Sequence, residues 1–493
     1  MEDNFQTEAS IKIGKKTFLT AVIILGLLML TVGILTRVIP TGSYDRITAD
    51  GRETVVEGSF HFTDTEQFPI WRWFTAPVEV LWSADGAVVI VIILFLLAVS
   101  GAFSLLESSD VMSLGIMKVV HKFRKYKYIL MAVIVFFFML LGAVLGTFEE
   151  NIALVPIIIA LSYCLGWDSL VGLGMSILAS CFGFTAAITN PFSIAITQQI
   201  SQLPLYSGSG LRILIFFTYY LLALVFLIRY AKRIEKNPAR SLVYGEDELL
   251  RSKYSSGDSL EQMLGSKSPE QMKRLKRAAI TFGGFVVLIF AVIIIASFLP
   301  ALSEVELPII GLLFLIGGIV AAGIAGVRSR QRLRILAKSV GGVAPGIILI
   351  LMAMSVKFII SHGGIMDTIL YYTSDAITST SPYVAILLIY ALILLLELFV
   401  GSSSAKAFLV MPLIAPLSDL VGITRQTSVL AFCFGDGFSN VLYPTNPVLL
   451  ICLGLTVVTY TKWIKWTWKL QVIAFAIACG YLFVGIAIGY GPF

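Results

Sequence analysis

The sequence is poor in charged residues and in histidine. Asp, Glu, Lys and Arg make up 13% of its 493 residues, there are only 3 histidines, and 57% of the residues are hydrophobic. Soluble proteins carry about 25% charged residues, and so much apolar surface could not be kept out of water. The composition excludes a soluble enzyme, a nucleic-acid-binding protein and a disordered chain. It predicts an all-α polytopic protein of the cytoplasmic (inner) cell membrane.

Motifs for catalysis and for ATP binding are also missing. No span contains HExxH or GxSxG, and the chain has no GxxxxGK[ST] phosphate-binding loop. The 5 cysteines lie within apolar runs and show no CxxC spacing, so they fit small core residues. We therefore expect neither an enzyme nor an ATP-driven pump, with no catalytic residues and no cofactor other than a coupling ion, Na⁺ or H⁺.

Several apolar runs are long enough to cross the bilayer once, which takes about 20 residues. These runs are residues 18–39, 86–106, 170–200, 211–229, 278–299, 307–326, 343–362, 427–457 and 470–490. Two further apolar stretches, residues 128–166 and 383–421, are too long for one crossing and have polar residues near the middle. Each of these two stretches is predicted to fold back on itself as a hairpin.

Clusters of lysine and arginine orient the chain. They occur at residues 12–16, 118–127, 229–236, 328–334 and 462–469. The positive-inside rule places all of them in the cytoplasm, which requires both hairpins to be re-entrant. The N-terminus is then cytoplasmic and the C-terminus external. Residues 230–276 form a cytoplasmic linker between a first half, 1–229, and a second half, 277–493, which has one extra span.

The two halves resemble each other at a spacing of 256 residues. The matching pairs are Pro156 with Pro412, Leu161 with Leu417, Ser162 with Ser418, Gly166 with Gly422, Phe182 with Phe438, and Thr189-Asn190-Pro191 with Thr445-Asn446-Pro447. With one gap, the polar tips of the hairpins, residues 146–151 and 401–406, also coincide. Because the hairpins enter from opposite sides, the repeats are predicted to be inverted, a feature of secondary transporters.

A Thr-Asn-Pro triplet interrupts one span in each half. Pro191 and Pro447 each remove a backbone donor and disfavour helix at the preceding residue. Freed backbone groups in a membrane must face protein or a cavity, so the two breaks and the two tips can meet near the midplane. Helix N-termini there attract carboxylates, and the breaks offer a Na⁺ site near Asn190 and Asn446. The alternative is that both prolines only kink packed helices.

The GTFEEN segment at 146–151 and the PTNP segment at 444–447 are the most specific motifs of the chain. Through them the sequence resembles the ion-transporter superfamily and, within it, the anaerobic C4-dicarboxylate carrier group. The YfcC-type branch of that group, proposed to exchange basic amino acids, is similar over the whole chain. The resemblance implies a homodimer, in which a domain of hairpins and broken helices moves against a dimeric scaffold.

Charged side chains inside the membrane are functional candidates, because each costs about 2.5–3.5 kcal/mol to insert. Glu149 and Glu150 lie at the first tip and Asp436 lies on a broken span. Lys357 and Lys406 are more simply explained by snorkelling or by pairing with Glu397. The candidate substrate-binding residues are Thr147, Glu149, Glu150, Asn151, Thr189, Asn190, Ser402, Ser403, Ser404, Asp436, Asn440, Thr445 and Asn446.

The charges at the tips favour a cationic small-molecule substrate. A dicarboxylate would place two negative charges beside Glu149 and Glu150, and no arginine lies at the tips or breaks to clamp it. We therefore predict a secondary active transporter for a basic amino acid, with arginine/ornithine-type exchange by alternating access. Because the acids could bind a coupling ion instead, a C4-dicarboxylate or other carboxylate carrier coupled to Na⁺ or H⁺ stays open. An ion channel is the alternative of another class.

Overall fold

A computed structural model describes residues 15–49, 52–56, 58–64, 68–84, 86–248, 250–251, 267–296 and 305–491. The fold is mostly helical, as predicted. Within the described residues, 8 helices are long and apolar enough to cross a membrane. They are Gly86–Ser108, Lys127–Leu145, Ser169–Ile200, Ser209–Lys236, Pro269–Ile295, Glu306–Ala325, Ala344–His362 and Tyr460–Ala487. Residues 297–299, the end of one predicted span, lie outside the described ranges.

The first half contains helices and four short strands. Its helices are α1 (Lys15–Val38), α2 (Trp71–Glu79), α3 (Gly86–Ser108), α4 (Val111–Phe123), α5 (Lys127–Leu140), α6 (Val155–Cys164), α7 (Ser169–Leu173), α8 (Ala179–Ala186), α9 (Ile196–Ile200) and α10 (Ser209–Lys236). Its strands are β1 (Gly42–Ser43), β2 (Arg46–Ala49), β3 (Arg52–Val55) and β4 (His61–Phe62), which pair antiparallel as β1 with β4 and β2 with β3.

The second half contains helices and, within its described residues, no strands. Its helices are α11 (Pro269–Ala296), α12 (Glu306–Ala325), α13 (Ser329–His362), α14 (Met366–Thr378), α15 (Pro382–Glu397), α16 (Ser403–Leu420), α17 (Arg425–Gly437), α18 (Pro447–Gly454) and α19 (Tyr460–Ala487). Helices α1, α3, α11, α12 and α13 pack mainly on one another, and we call them the scaffold group. Gly318 allows α12 to approach α3 closely, because a Cβ there would lie 2.8 Å from the Cα of Ala102.

The first interrupted stretch folds as a helical hairpin of α5 and α6. A π-helical turn extends α5 to Leu145, and Gly146 then takes a left-handed conformation, with φ of 70°. The two ends of the stretch meet, since the rings of Tyr128 and Trp167 lie 6.0 Å apart. Both side chains donate hydrogen bonds to Glu235, near the end of α10. The chain therefore leaves this hairpin beside the point where it enters.

The second interrupted stretch folds as a hairpin of α15 and α16, with its ends near the start of α10. Thr424 donates to the carbonyl of Tyr490 at 2.9 Å, and the neighbouring Gln426 donates to the carbonyl of Ser207 at 2.8 Å. The first arm of this hairpin begins in the same region, since the ring of Tyr383 at the start of α15 lies 5.6 Å from that of Phe483 near the end of α19. Since α10 has 28 residues, about 42 Å of helix, the two hairpins have their open ends at opposite ends of α10.

Residues 256 apart make the same local contacts where each hairpin ends. Both connections pass through a left-handed glycine, Gly166 with φ of 83° and Gly422 with φ of 75°. The equivalent hydrogen bonds run from Trp167 N to Ser162 O and from Ile423 N to Ser418 O, and from Val171 N to the Asp168 side chain and Thr427 N to the Thr424 side chain. The sequence similarity of the halves thus corresponds to the same local geometry.

The polar stretch predicted as a linker, residues 230–276, is partly helical, and residues 249 and 252–266 of it lie outside the described ranges. Helix α10 continues to Lys236 and α11 begins at Pro269, because both helices extend past their apolar residues into polar ones. The chain after α10 packs on the base of the first hairpin, where Asp247 is fully buried. Its carboxylate accepts hydrogen bonds from the Tyr163 hydroxyl at 2.7 Å and from Ser169 N at 2.9 Å.

Candidate functional site

A cavity of about 390 Å³ lies between the scaffold group and the two hairpins. The scaffold wall contributes Ile92 from α3, Glu306 from α12 and Lys357 from α13. The opposite wall consists of both hairpin tips and of residues beside both helix breaks, including Phe192 and Pro447. The four backbone interruptions predicted from the sequence therefore contribute to one cavity.

Most of the predicted binding residues line this cavity. They are Glu149, Glu150, Ser402, Ser403, Ser404, Asp436, Asn440, Thr445 and Asn446. The other four, Thr147, Asn151, Thr189 and Asn190, are not among its lining residues. Asn151 packs behind the first tip, where its side-chain amide donates to the Thr147 carbonyl and to the Ser180 hydroxyl, both at 2.9 Å.

The break in the first half is tied to the end of α5. Asn190 caps the helix that begins at Pro191, because its side-chain oxygen accepts from Ser193 N at 3.2 Å. Its amide nitrogen donates to the carbonyl of Gly142 at 3.2 Å. A Cβ on Gly146 would lie 2.4 Å from the Asn190 oxygen, so only glycine fits at that turn. The break is therefore joined to the first hairpin by a hydrogen bond.

The break in the second half has the same cap. The oxygen of Asn446 accepts from Leu449 N at 3.2 Å, and its amide nitrogen donates to the Asn440 side chain at 2.7 Å. Both asparagine oxygens that the sequence offers to a Na⁺ thus already accept amide hydrogen bonds. Among the described residues, no group of three or more His, Cys, Asp or Glu side chains is arranged to hold a metal ion.

The second tip carries a buried cluster of charges, which we call the Lys406 cluster: Lys406, Glu397 and Asp436. The ammonium of Lys406 forms an ion pair with Glu397 and lies 3.0 Å from Asp436 Oδ1. Ser403 donates to the other oxygen of Asp436 at 2.6 Å. The pairing of Lys406 with Glu397, one of the two explanations considered for these charges, is present in the structure.

A third acid joins the glutamates of the first tip. Glu149 and Glu150 are half-buried, and Glu150 accepts a hydrogen bond from Phe148 N at 3.0 Å. Glu306, the first residue of α12, is only 4% exposed. Its Oε1 atom has no hydrogen-bond partner within the described part of the chain. Glu306 thus adds an unpaired carboxylate oxygen to the acidic end of the cavity.

A family model for the C4-dicarboxylate anaerobic carrier (DcuC) matches residues 18–487. The chain belongs to this carrier family. The YfcC protein of Escherichia coli (strain K12), which carries the provisional name basic amino acid antiporter, is 32% identical over 76% of this chain and 73% of its own. An uncharacterized protein of Haemophilus influenzae is 25% identical over 92% of this chain and 94% of its own.

Two solved transporter structures are similar at low identity. The YdaH transporter of Alcanivorax borkumensis is 16% identical with a TM-score of 0.41, covering 97% of this chain and 100% of that one. MtrF of Neisseria gonorrhoeae, described as illuminating a class of antimetabolite efflux pumps, is 17% identical with a TM-score of 0.40, covering 94% and 95%. The family membership itself makes the protein a membrane transporter, as predicted.

Two acids of the cavity wall, Glu306 and Glu397, are not among the binding residues predicted from the sequence. Glu306 precedes an apolar run directly, so a hydropathy window treats it as part of the flanking loop. The signal that could have found it is an acid on the first turn of a span. The sequence predicts Glu397 only as a partner for a lysine, whereas the structure also places it on the cavity wall. It ends α15 and turns toward the cavity beside the second tip.

Proposed function

We propose that this carrier exchanges basic amino acids of the arginine and ornithine type across the cytoplasmic membrane. The observation that supports it is the charge of the cavity wall, which contains Glu149, Glu150, Glu306, Glu397, Asp436 and a single lysine, Lys357. Lys406 is buried behind this wall and pairs with Glu397 and Asp436. When the five acids are ionised, the two lysines leave an excess of negative charge at the cavity. A cationic side chain relieves that excess, whereas a dianion adds to it.

The two ends of an amino acid suit different parts of the cavity. Helix α16 begins at the second tip, capped by Ser402, and its N-terminus attracts a carboxylate. The cationic side chain then extends to Glu149, Glu150 and Glu306, which belong to both walls. A substrate bound in this way joins the scaffold group to the hairpins.

Alternating access is proposed to arise from two inverted re-entrant repeats. The open ends of the hairpins at opposite ends of α10, and the equivalent hydrogen bonds 256 residues apart, support this topology. We propose a cytoplasmic N-terminus, an external C-terminus and a homodimer in which the hairpins and broken helices move against the scaffold group. We also propose that the coupling ion, if one is used, is H⁺ or Na⁺.

A C4-dicarboxylate substrate is the second candidate. It is favoured by the description of the family as a C4-dicarboxylate carrier and by Lys357 on the cavity wall. In that case the glutamates would hold coupling cations, and Lys357 would face a substrate carboxylate. The two candidates differ in the sign of the charge that the acidic end of the cavity accepts.

Transport in liposomes tests the proposal. Purified protein is reconstituted with internal ornithine, and uptake of labelled arginine, lysine, fumarate and citrate is followed under imposed Na⁺ and H⁺ gradients. We expect arginine uptake that requires internal ornithine and saturates. Uptake of fumarate without uptake of arginine would contradict the proposal and favour the dicarboxylate carrier. A flux of small ions that does not saturate would contradict it in favour of a channel.

A further inference from the structure

Each hairpin tip contacts the broken helix of its own half, through a neutral hydrogen bond in the first half and through an ion pair in the second. In the first half, the side-chain amide of Asn151 donates to the Ser180 hydroxyl at 2.9 Å. At the corresponding place in the second half, Lys406 replaces Asn151 and Asp436 stands 256 residues after Ser180. The Lys406 ammonium lies 3.0 Å from the Asp436 carboxylate. A neutral hydrogen bond between tip and broken helix in one half is therefore an ion pair in the other.

A positive charge at the position of Lys406 is energetically unfavourable. The side chain is fully buried, and it lies in the first turn of α16, where the helix dipole disfavours positive charge. A buried ammonium requires compensating carboxylates, and Glu397 and Asp436 provide them from the other hairpin arm and from α17. Conversely, these two carboxylates need a cation between them. The three side chains hold three separate segments together.

We infer that Lys406 is a tethered cation, which fixes the second tip to α17 in the place where a bound monovalent cation would otherwise be required. The inference rests on the proposed transport function only in assigning the tip to a substrate site. It implies that the second tip stays in position without Na⁺. It also implies that removal of the ammonium turns the Glu397–Asp436 pair into a binding site for a small cation from solution.

Labelling of the tip tests this inference without any substrate. Ser404 lines the cavity next to the cluster, so Ser404→Cys in a background without other cysteines reports how open the tip is. With Lys406 present, we expect the same labelling rate in NaCl and in choline chloride. With Lys406→Met, the loss of one partner of a buried ion pair should raise the rate roughly tenfold or more in choline. Methylammonium should restore the slow rate, and the bulkier tetramethylammonium should not.

Two further variants keep the test decisive. Lys357→Met removes the lysine that lines the scaffold wall of the cavity, and should create no response to methylammonium. If Lys406→Met does not fold, Lys406→Asn takes its place with the same expected response, because it keeps both carboxylates and introduces the residue that the first half has at this place. A Na⁺-dependent rate with Lys406 present, or no response to methylammonium in its absence, would overturn the inference. Failure of arginine exchange would refute the proposed substrate and leave the labelling result standing.

Discussion

At the scale of single residues, the carboxylates of the cavity come from two groups of helices. Glu149 and Glu150 lie on the first tip, whereas Glu306 lies on α12 of the scaffold group. A cationic group placed between them contacts both walls at once. If the hairpins move relative to the scaffold, this arrangement of acids exists only in some positions of the cycle, so substrate affinity and conformation are coupled.

Neutralising an acid of the first tip should weaken the binding of a basic amino acid. For Glu150→Gln we expect a loss of about 1.5–3 kcal/mol, the usual contribution of a hydrogen bond to a charged group, which is roughly tenfold to hundredfold in affinity. A neutral analogue such as citrulline should lose much less. Calorimetric titration of the detergent-solubilised carrier with arginine and citrulline measures both affinities.

Asp375→Asn is the matched control, since Asp375 is an exposed acid that does not line the cavity. It should leave the affinity for arginine unchanged. Unaltered arginine affinity in Glu149→Gln, Glu150→Gln and Asp436→Asn alike would refute a basic amino acid substrate. Tighter binding of fumarate to these variants would instead support the dicarboxylate carrier.

At the scale of helices, each Thr-Asn-Pro break is held by the asparagine that caps the following segment. Replacing a cap by alanine costs about 0.5–2 kcal/mol. We expect Asn446→Ala to reduce transport several-fold with little loss of folded protein, because the cap and the bond to Asn440 hold one edge of the cavity. Asn446→Ser keeps a capping oxygen and should retain more activity. Uptake per unit of folded protein in proteoliposomes measures the difference.

The same substitution in the first half provides a comparison. Asn190→Ala also removes the bond to Gly142, which ties the break to α5. Its effect on transport should therefore be at least as large as that of Asn446→Ala. Wild-type kinetics in both alanine variants would mean that the breaks serve only to kink packed helices.

Asp247 holds the chain after α10 on the first hairpin through hydrogen bonds with Tyr163 and Ser169. Its titration should make the stability of the folded protein depend on pH. Burial raises the pKa of Asp247 to about 6, although hydrogen bonds from Ser169 and Tyr163 oppose the shift. The unfolded value is about 3.9, so the folded protein binds the proton more tightly. Stability from this group is therefore greatest below about pH 4, falls as pH rises to about 6, and is constant above that, a change of up to about 3 kcal/mol.

Asp247→Asn removes this titration. Thermal unfolding of both proteins in nanodiscs at pH 4.5 and pH 7 should show a smaller decrease in midpoint for the variant. Carboxylates that do not interact with Asp247 titrate equally in the two proteins, so the difference between them reports Asp247 together with its neighbour Asp168, whose charge contributes to the raised pKa of Asp247. An identical pH response would show that Asp247 is not protonated in the folded protein over this range.

Much of the helical framework could be predicted from the sequence, because apolar length in a membrane leaves few alternatives. The hairpins and the Thr-Asn-Pro breaks follow from length, polarity and proline. Hydropathy did not reveal α4, whose mixed composition includes Lys118 and Lys122, or the polar extensions of α10 and α11. Glu306 and the closing of the first hairpin by Asp247 depend on contacts between residues far apart in the chain, which periodicity does not encode.

At the scale of the whole molecule, α10 and α19 cross the bundle and connect both hairpins. Glu235 at one end of α10 holds the first hairpin, and Lys462 at the start of α19 pairs with Glu246 at the same end. At the other end, Tyr490 donates to the carbonyl of Gly208 and accepts from Thr424 through its own carbonyl. The chain after α10 and the end of α19 therefore belong to opposite ends of the molecule.

This arrangement predicts that the two regions are exposed on opposite sides of the membrane. A cysteine at Gly245, where there is space for a side chain, should react with a membrane-impermeant thiol reagent only from the cytoplasm. A cysteine added after Phe493 should react only from outside. Labelling of intact cells and of inverted vesicles measures both. Reaction of the two cysteines on the same side would refute the inverted re-entrant hairpins.

The closure of the first hairpin has a consequence for how the protein is made. Tyr163 hydrogen-bonds to Asp247, which is 84 residues later in the chain, and Asp168 accepts from Ser241, 73 residues later. The contacts with Ser241 and Asp247 can form only after α7 to α10 have been synthesised, because both residues follow α10 in the chain. We therefore expect the closure of the first hairpin to be completed only after α10 has left the ribosome. The hairpin would then settle in the bilayer later than its place in the sequence suggests.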